Sequence, residues 1–195
     1  MDNDIFANEV LSMPWYRGFS GGPEQSALLI LPGIQGYRIP EGVKYWPTAA
    51  RYLWVAGTRA DPFYTRKEIT EIVRTVVGSD PPISYLENGG WANHTPDQMR
   101  WAVELLKGYS DVQHLIICTA EYHLPRCILC CVKTMQMHGV LRIISHAPIC
   151  HKDGPVSGSM VWNEERAKIL VYQKKGDIAT AEEWAAYRLW RDRQK

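Results

Sequence analysis

Few cysteines and no long apolar run are the first features of this 195-residue chain. Its five cysteines are an odd number, which excludes a full disulfide framework and is typical of a reducing compartment. The longest apolar runs, such as the one at 27–32, fall far short of the ~20 residues that a membrane-spanning helix needs. The opening residues, MDNDIFANEV, lack the basic start and apolar stretch of a signal peptide. We therefore expect a cytoplasmic protein with no membrane partner.

The chain also lacks an excess of charge of either sign. Lys and Arg number 22 and Asp and Glu number 21, so the net charge is +1. A protein that coats nucleic acid normally carries a basic excess or a basic stripe, so the composition argues against a nucleic-acid partner. It allows a small anionic ligand, which needs only a few well-placed donors. The length suits one domain with a core that needs neither disulfides nor a structural metal.

Short apolar segments alternate with helical patterns along the chain. Strands are predicted at 27–31, 52–56, 82–86, 113–118 and 140–145, because each is a short apolar run closed by turn residues. Helices are predicted at 43–51, 65–77, 95–107, 122–138, 161–174 and 180–191. Thr65 is expected to cap the helix that follows it, and Thr95, with Gln98 at the capping-box position, to cap the next.

This alternation predicts an α/β fold. We expect a mainly parallel five-stranded sheet with helices on both faces and further helices at the C-terminus. A single domain is expected over 1–195, with a lead-in at 1–26, a core at 27–145 and C-terminal helices at 160–195. A doubly wound strand order such as 3-2-1-4-5 places the ligand crevice at the carboxyl ends of the strands, between the first and the fourth.

Candidate ligand-binding residues follow the first three predicted strands. Glycines that let a ligand approach the backbone follow the first strand, and small, polar or charged side chains follow the second and third. The candidates are Gly33, Gly36, Gly57, Thr58, Arg59, Glu68, His94 and Thr95. Neither GxGxxG nor a P-loop lysine motif is present, so the known dinucleotide and P-loop fingerprints are excluded. The turn into the helix at Thr95 is a natural anion site, although Thr95 and Asp97 are also ordinary capping residues.

The most informative segment follows the fourth predicted strand and reads CTAEYHLPR. Thr119 and Tyr122 are candidate ligand contacts there. His123 and Arg126 lie three apart and therefore share a helix face, where an imidazole and a guanidinium hold a phosphate or carboxylate. We expect His123 to act as general acid or base, oriented by Glu87 or Asp97. The alternative is a surface histidine and arginine at a helix start.

Together these segments resemble the YdcF/SanA/ElyC-like family. The resemblance spans about 27–145 and rests on the strand-end glycines, the carboxylates at 68 and 87 and above all the Tyr122-His123-x-x-Arg126 block. Several small donors of the family pattern are replaced: Ala56 and Thr58 stand in its Ser-Gly-Gly, and Ala92 and His94 stand where it has Ser and Asn. The resemblance implies a Rossmann-like three-layer sandwich with an anion-accepting crevice. Some members of that family bind S-adenosylmethionine, and others act in envelope biogenesis. The resemblance therefore implies S-adenosylmethionine as a candidate ligand.

Other conspicuous side chains have simpler interpretations. Cys127, Cys130 and Cys131 fall on one face of an apolar helix and are interpreted as core, so no metal site is predicted. Glu164 or Glu165 can reach the crevice, but a carboxylate that favours a helix N-terminus is the simpler account. Aromatic residues of the last helix either pack on the body of the protein or form a homodimer seam; they are Trp184, Tyr187 and Trp190.

Three classes of function are compatible with these features. The first is an enzyme, a hydrolase or transferase acting on a phosphorylated or nucleotide-like small molecule. The second is a non-catalytic module that binds a nucleotide or S-adenosylmethionine, favoured by the absence of a recognised nucleophile elbow. The third is a structural or interaction protein that uses the C-terminal aromatic residues.

Overall fold

The computed structural model describes residues 3–12, 22–32, 37–57, 65–78, 86–149 and 159–194. Within these ranges the strands are β1 (Ser26–Ile30), β2 (Tyr52–Ala56), β3 (Leu86–Gly89), β4 (His114–Ala120) and β5 (Ile143–Ile149). The α-helices are α1 (Asn3–Ser12), α2 (Arg38–Val43), α3 (Trp46–Ala49), α4 (Arg66–Val77), α5 (Thr95–Gly108), α6 (Leu124–His138), α7 (Ser159–Lys175) and α8 (Ala181–Asp192). None of these helices is both long and apolar enough to cross a membrane.

The strands form a parallel sheet in the order β3-β2-β1-β4-β5. Every residue of β1 and β2 is buried, as expected of parallel strands that are covered on both faces. Alternate residues of β1 face two separate cores. Leu29 packs with α1, α5, α6, α7 and α8, whereas Leu28 and Ile30 pack with α2, α3 and α4. The prediction of an α/β fold with a parallel sheet flanked by helices is confirmed.

The strand order places β1 and β4 side by side at the centre of the sheet. Ile30 lies opposite Cys118, and the Leu31 N–H just beyond β1 donates to the Cys118 carbonyl at 2.9 Å. The chain leaves β1 towards β2 on one side, and β4 leads to β5 on the other. A crevice opens between such diverging connections at the carboxyl ends of the strands. The described residues that follow β4 are therefore considered first as candidates for a site.

Some boundaries differ from the sequence prediction for physical reasons. β5 begins at Ile143 rather than 140, because Gly139 is left-handed and the Val140 N–H still bonds to Met135 at the end of α6. β3 covers Leu86–Gly89, whereas most of the predicted strand at 82–86 lies outside the described part of the chain. The N-cap of α5 is His94 and not Thr95, which is the first helical residue.

Two helices were absent from the prediction. α1 lies within the segment interpreted as a lead-in, and α2 contains Pro40 and Gly42, which are poor helix formers. Tertiary packing forms α2, since Ile39 and Val43 are fully buried against β1 and α4. By contrast, the Thr65 cap of α4 is confirmed, with a reciprocal capping box to Glu68.

Gly57, directly after β2, allows a close approach of two backbone segments. A Cβ atom at Gly57 would lie 2.4 Å from the Gly89 carbonyl oxygen and 2.6 Å from that of Ala92. The turn from β3 to α5 therefore rests directly on the end of β2. Gln98 fixes the same approach, because its side-chain amide donates to the Gly57 carbonyl at 2.6 Å.

We predict that Gly57→Ala lowers the free energy of unfolding by more than about 2 kcal/mol, because backbone on both sides cannot give way to the added methyl group. Urea unfolding monitored by circular dichroism measures the change. Gly90→Ala is the matched control, since a Cβ there meets nothing within 4 Å. Equal effects of the two substitutions would contradict the packing role of Gly57.

Candidate functional site

A buried polar cluster lies at the carboxyl ends of the strands, where four elements meet. Thr95 is the first residue of α5, His123 ends the 3-10 turn that follows β4, Arg126 lies in the first turn of α6, and Glu165 comes from α7. All four side chains are buried. The apolar length of β4 and the Leu124-Pro125 helix start bring His123 and Arg126 to this edge, since proline favours the first turn of a helix.

Arg126 is the centre of the cluster. Its Nε and Nη2 donate to the two carboxylate oxygens of Glu165 at 2.8 and 3.1 Å. Its Nη1 donates to the Thr95 hydroxyl at 3.0 Å, and Nη2 lies 2.9 Å from Nδ1 of His123. The guanidinium also stacks 5.1 Å from the ring centre of Tyr172 on α7. Internal partners therefore occupy most of the donors that the sequence analysis assigned to an anion.

The contact with Arg126 fixes the protonation of His123. A guanidinium carries only donors, so Nδ1 accepts the hydrogen bond and the ring proton of the neutral imidazole lies on Nε2. No described residue accepts a hydrogen bond from Nε2, and 11% of the side-chain surface of His123 is exposed. Nε2–H is therefore a donor without an acceptor among the described residues.

Burial and charge keep His123 neutral. Desolvation is the main cause that lowers the pKa of His123 from 6.5 to about 4, and the positive charges of Arg126 and Arg38 add to it against the opposing effect of Glu165. Burial by itself raises the pKa of Glu165, but the nearby His123 and the hydrogen-bonded ion pair with Arg126 outweigh burial and lower it well below its usual value. Burial alone would lower the pKa of Arg126, but the hydrogen bonds and charge of Glu165 raise it above its usual value.

A second buried arginine lies on the other side of β4. Arg38, the first residue of α2, donates to the Tyr122 hydroxyl at 2.7 Å and to the Thr119 hydroxyl at 3.4 Å. The Thr119 hydroxyl in turn donates to the Leu31 carbonyl at 3.1 Å, across the junction of β1 and β4. The positive charge of Arg38 contributes to lowering the pKa of His123. A guanidinium, a phenol and an imidazole thus belong to elements that meet at the carboxyl ends of β1 and β4, the switch point of the sheet.

Several predicted site residues have other roles. Asp97 pairs with Arg100 on the same helix and does not orient His123 among the described contacts. The Glu68 carboxylate accepts from the Thr65 N–H in the capping box of α4, on an exposed part of the helix. His94 is exposed and provides the N-cap of α5 without a side-chain cap hydrogen bond. The Gly57 backbone is packed against other backbone rather than open to a ligand.

Other candidates lie outside the described residues. These are Gly33, Gly36, Thr58 and Arg59. Glu87 has a described backbone position in β3, opposite Trp54, but its side chain is not among the described ones. Their proposed contacts with a ligand stay predictions.

Sequence reasoning missed Arg38 and assigned Glu165 a different role. α7 begins at Ser159, so Glu165 lies in its second turn and the helix-terminus interpretation is wrong. Glu165, Lys168 and Tyr172 recur at helical spacing on one face of α7, and this spacing is the signal that could have found the contact with Arg126. Nothing in the sequence around Arg38 distinguishes it from a surface arginine.

The cysteines of α6 form part of the core. Cys127, Cys130 and Cys131 are fully buried, and burial raises the pKa of each, to about 12 for Cys131. They are therefore poor nucleophiles. Among the described residues, no group of three or more His, Cys, Asp or Glu side chains is arranged to hold a metal ion.

Aromatic residues of α8 face the body of the protein. Trp184 and Tyr187 are buried, and the Tyr187 hydroxyl accepts from the Ile144 N–H at 2.8 Å at the start of β5. These two rings are therefore used for packing within the chain. A homodimer through this helix stays a prediction.

No protein-family model matches the chain, and no curated protein matches it. The resemblance to the YdcF/SanA/ElyC-like family therefore remains an inference from the sequence motifs alone.

We predict that acidification destabilises the protein through His123. Between pH 6.5 and about 4 the unfolded chain binds a proton at His123 that the folded protein does not, so stability falls as the pH is lowered. The loss attributable to His123 is about 3 kcal/mol when complete. Urea unfolding of wild type and His123→Gln at pH 7, 6 and 5 measures the slope, which should be shallower in the variant.

His138→Gln, at the exposed end of α6, is the control for this slope. His114, whose pKa burial also lowers, contributes equally to wild type and to both variants. Identical slopes for wild type and His123→Gln would show that His123 takes up its proton in the folded protein and would refute the assignment.

Proposed function

We propose that this chain is a Rossmann-like protein that binds a small anionic ligand, phosphorylated or nucleotide-like, at the carboxyl ends of β1 and β4. The observation that carries the proposal is the buried contact of Arg38 with Thr119 and Tyr122 directly after β4, next in the chain to His123, whose Nδ1 is occupied by Arg126. A guanidinium and a neutral N–H donor both seek acceptor oxygens. Ligands of doubly wound sheets bind at this position.

Arg38 is the better candidate than Arg126 for direct contact with the ligand. Arg126 already donates to Glu165, Thr95 and His123, and a carboxylate on two of its nitrogens satisfies its charge. Arg38 donates to the Tyr122 and Thr119 hydroxyls at 2.7 and 3.4 Å, where β4 ends beside β1. Because ligands of doubly wound sheets bind at this position, the location of Arg38 favours direct contact with an anionic oxygen.

We predict that Arg38→Met abolishes stabilisation by the ligand. The purified protein is screened by thermal shift against nucleotides, nucleotide sugars, phosphorylated metabolites and S-adenosylmethionine, whose carboxylate is also an acceptor. A ligand at ~100 times its dissociation constant stabilises the native state by about 2.7 kcal/mol. A hundredfold loss of affinity leaves about 0.4 kcal/mol of that stabilisation.

Arg51→Met is the matched control, because Arg51 precedes β2 at the opposite edge of the sheet and pairs with Asp111. Its ligand-induced shift should equal that of wild type. No ligand-induced shift in wild type for any compound, or an equal shift in Arg38→Met, would refute the proposed site.

Catalysis by hydrolysis or group transfer is the second candidate function. The observation in its favour is that His123 presents a donor whose direction is fixed before any ligand arrives, and preorganised donors stabilise charge that develops in a transition state. With a pKa of about 4 and its proton on Nε2, His123 suits this electrostatic role better than proton transfer. Thr119 is fully buried and its hydroxyl is engaged on both sides, which disfavours it as a nucleophile.

We predict that His123→Phe lowers kcat of any detected turnover by about 10²–10³, the usual cost of removing one such donor. The wild-type pH–rate profile should show no limb for His123 between pH 5 and 8, since its pKa lies near 4. Tyr122→Phe serves as the comparison that keeps the imidazole. A wild-type limb near pH 6.5 that disappears in His123→Phe would instead assign proton transfer to His123.

A further inference from the structure

Glu165 and Arg126 form the most deeply buried charged pair among the described residues of this site. The exposed fraction of Glu165 is 2%, and that of Arg126 is 7%. Burying two charges is costly, and a buried ion pair by itself is weak evidence for stabilisation of a fold. A role beyond stability therefore has to be sought in what the pair contacts, and that neighbour is His123.

Both members of the pair lie against the same atom of His123. Arg126 Nη2 is 2.9 Å from Nδ1, and Glu165 Oε2 is 3.6 Å from it. The two neighbours require opposite hydrogen-bonding roles of Nδ1, since it must accept from a guanidinium but donate to a carboxylate. The shorter distance gives the guanidinium the hydrogen bond.

Glu165 holds Arg126 in the position from which it donates to Nδ1 of His123. Its carboxylate accepts from Nε and Nη2, which fixes the plane of the guanidinium from the side, and Thr95 holds the third nitrogen. Lys168 donates to Glu165 Oε1 at 3.0 Å, and Tyr172 covers the guanidinium face. One face of α7 thus determines the orientation of a group on α6.

We propose that Glu165 and Arg126 are positioning residues that determine ligand specificity, by fixing His123 as a hydrogen-bond donor to the crevice. With Nδ1 committed to Arg126, Nε2 offers a proton and takes an acceptor oxygen such as that of a phosphate or carboxylate. Without Arg126, Glu165 takes the proton on Nδ1, and Nε2 becomes a bare acceptor. The direction of the tautomer is independent of the proposed function; its consequence for the ligand rests on that function.

The test is nitrogen NMR of the protein labelled with ¹⁵N-histidine, which distinguishes the two ring nitrogens by their shifts and proton couplings. The His123 signals are assigned by their loss in His123→Gln. In ligand-free wild type at pH 7 we expect the Nε2–H tautomer. In Arg126→Met we expect the Nδ1–H tautomer, and in Arg126→Met combined with Glu165→Gln we expect the Nδ1–H preference to disappear.

Arg100→Met is the control, because Arg100 is an exposed arginine on α5 that pairs with Asp97. It should leave the His123 signals unchanged. An Nδ1–H tautomer in wild type, or an Nε2–H tautomer that persists in Arg126→Met, overturns the inference. Should Arg126→Met fail to fold, the wild-type tautomer still decides, together with Glu165→Gln, which keeps the shape of the side chain and should retain Nε2–H.

Ligand binding gives a second, separable readout. Inorganic phosphate is titrated into wild type, Arg126→Met and Arg100→Met, and we expect the affinity to fall by about tenfold or more only in Arg126→Met, since a charged acceptor loses its donor. If wild type shows the Nε2–H tautomer but binds neither phosphate nor any screened anion, the proposed function and the role in ligand specificity fail, and the control of the tautomer by Arg126 stands. A reversed tautomer overturns the positioning role whatever the ligand.

Discussion

The ion pair between Arg126 and Glu165 is the interaction on which the arrangement of the crevice depends. It joins α6 to α7 across 39 residues of sequence, and the Thr95 hydroxyl adds the start of α5 to the same guanidinium. Each charge is buried, and a buried charge without its partner is energetically costly. The three helices are therefore held in the arrangement that keeps both charges paired. His123 lies within this geometry: burial is the main cause of its neutral state, and the contact with Arg126 makes Nδ1 the acceptor.

Local signals were sufficient for most of the secondary structure. β1 and β2 follow from short apolar runs, α4 from the Thr65 cap, and the end of α6 from Gly139, because each depends on neighbours within a few residues. The failures have the opposite character. α2 contains Pro40 and Gly42, and its helical state comes from burial against β1, which no local pattern contains. Thr95 carries a capping residue type, but its hydroxyl accepts from Arg126 instead of a helix N–H.

The sequence predicts the site residues whose positions follow from the strand order. It does not predict those whose positions depend on contacts with residues distant in the sequence. Parallel strands place the residues after each strand at one edge of the sheet, and this topology predicts His123 and Arg126 as site residues. The partners of those residues come from far along the chain: Arg38 is separated from Thr119 by 81 residues. A glutamate in the second turn of a polar helix carries no mark of burial, and Glu165 becomes distinctive only when Arg126 and Tyr172 are seen against the same helix face.

Some residues that the sequence predicts as ligand contacts instead contact other parts of the chain. Gly57 makes room for backbone, and Arg126 donates to Glu165, so two predicted ligand contacts are internal. The Nε2–H of His123, by contrast, has no acceptor among the described residues, because Arg126 occupies Nδ1. Under the proposed function this N–H would meet an acceptor oxygen of the ligand. Ligand specificity would then follow from which donors the fold uses internally and which it leaves without an acceptor.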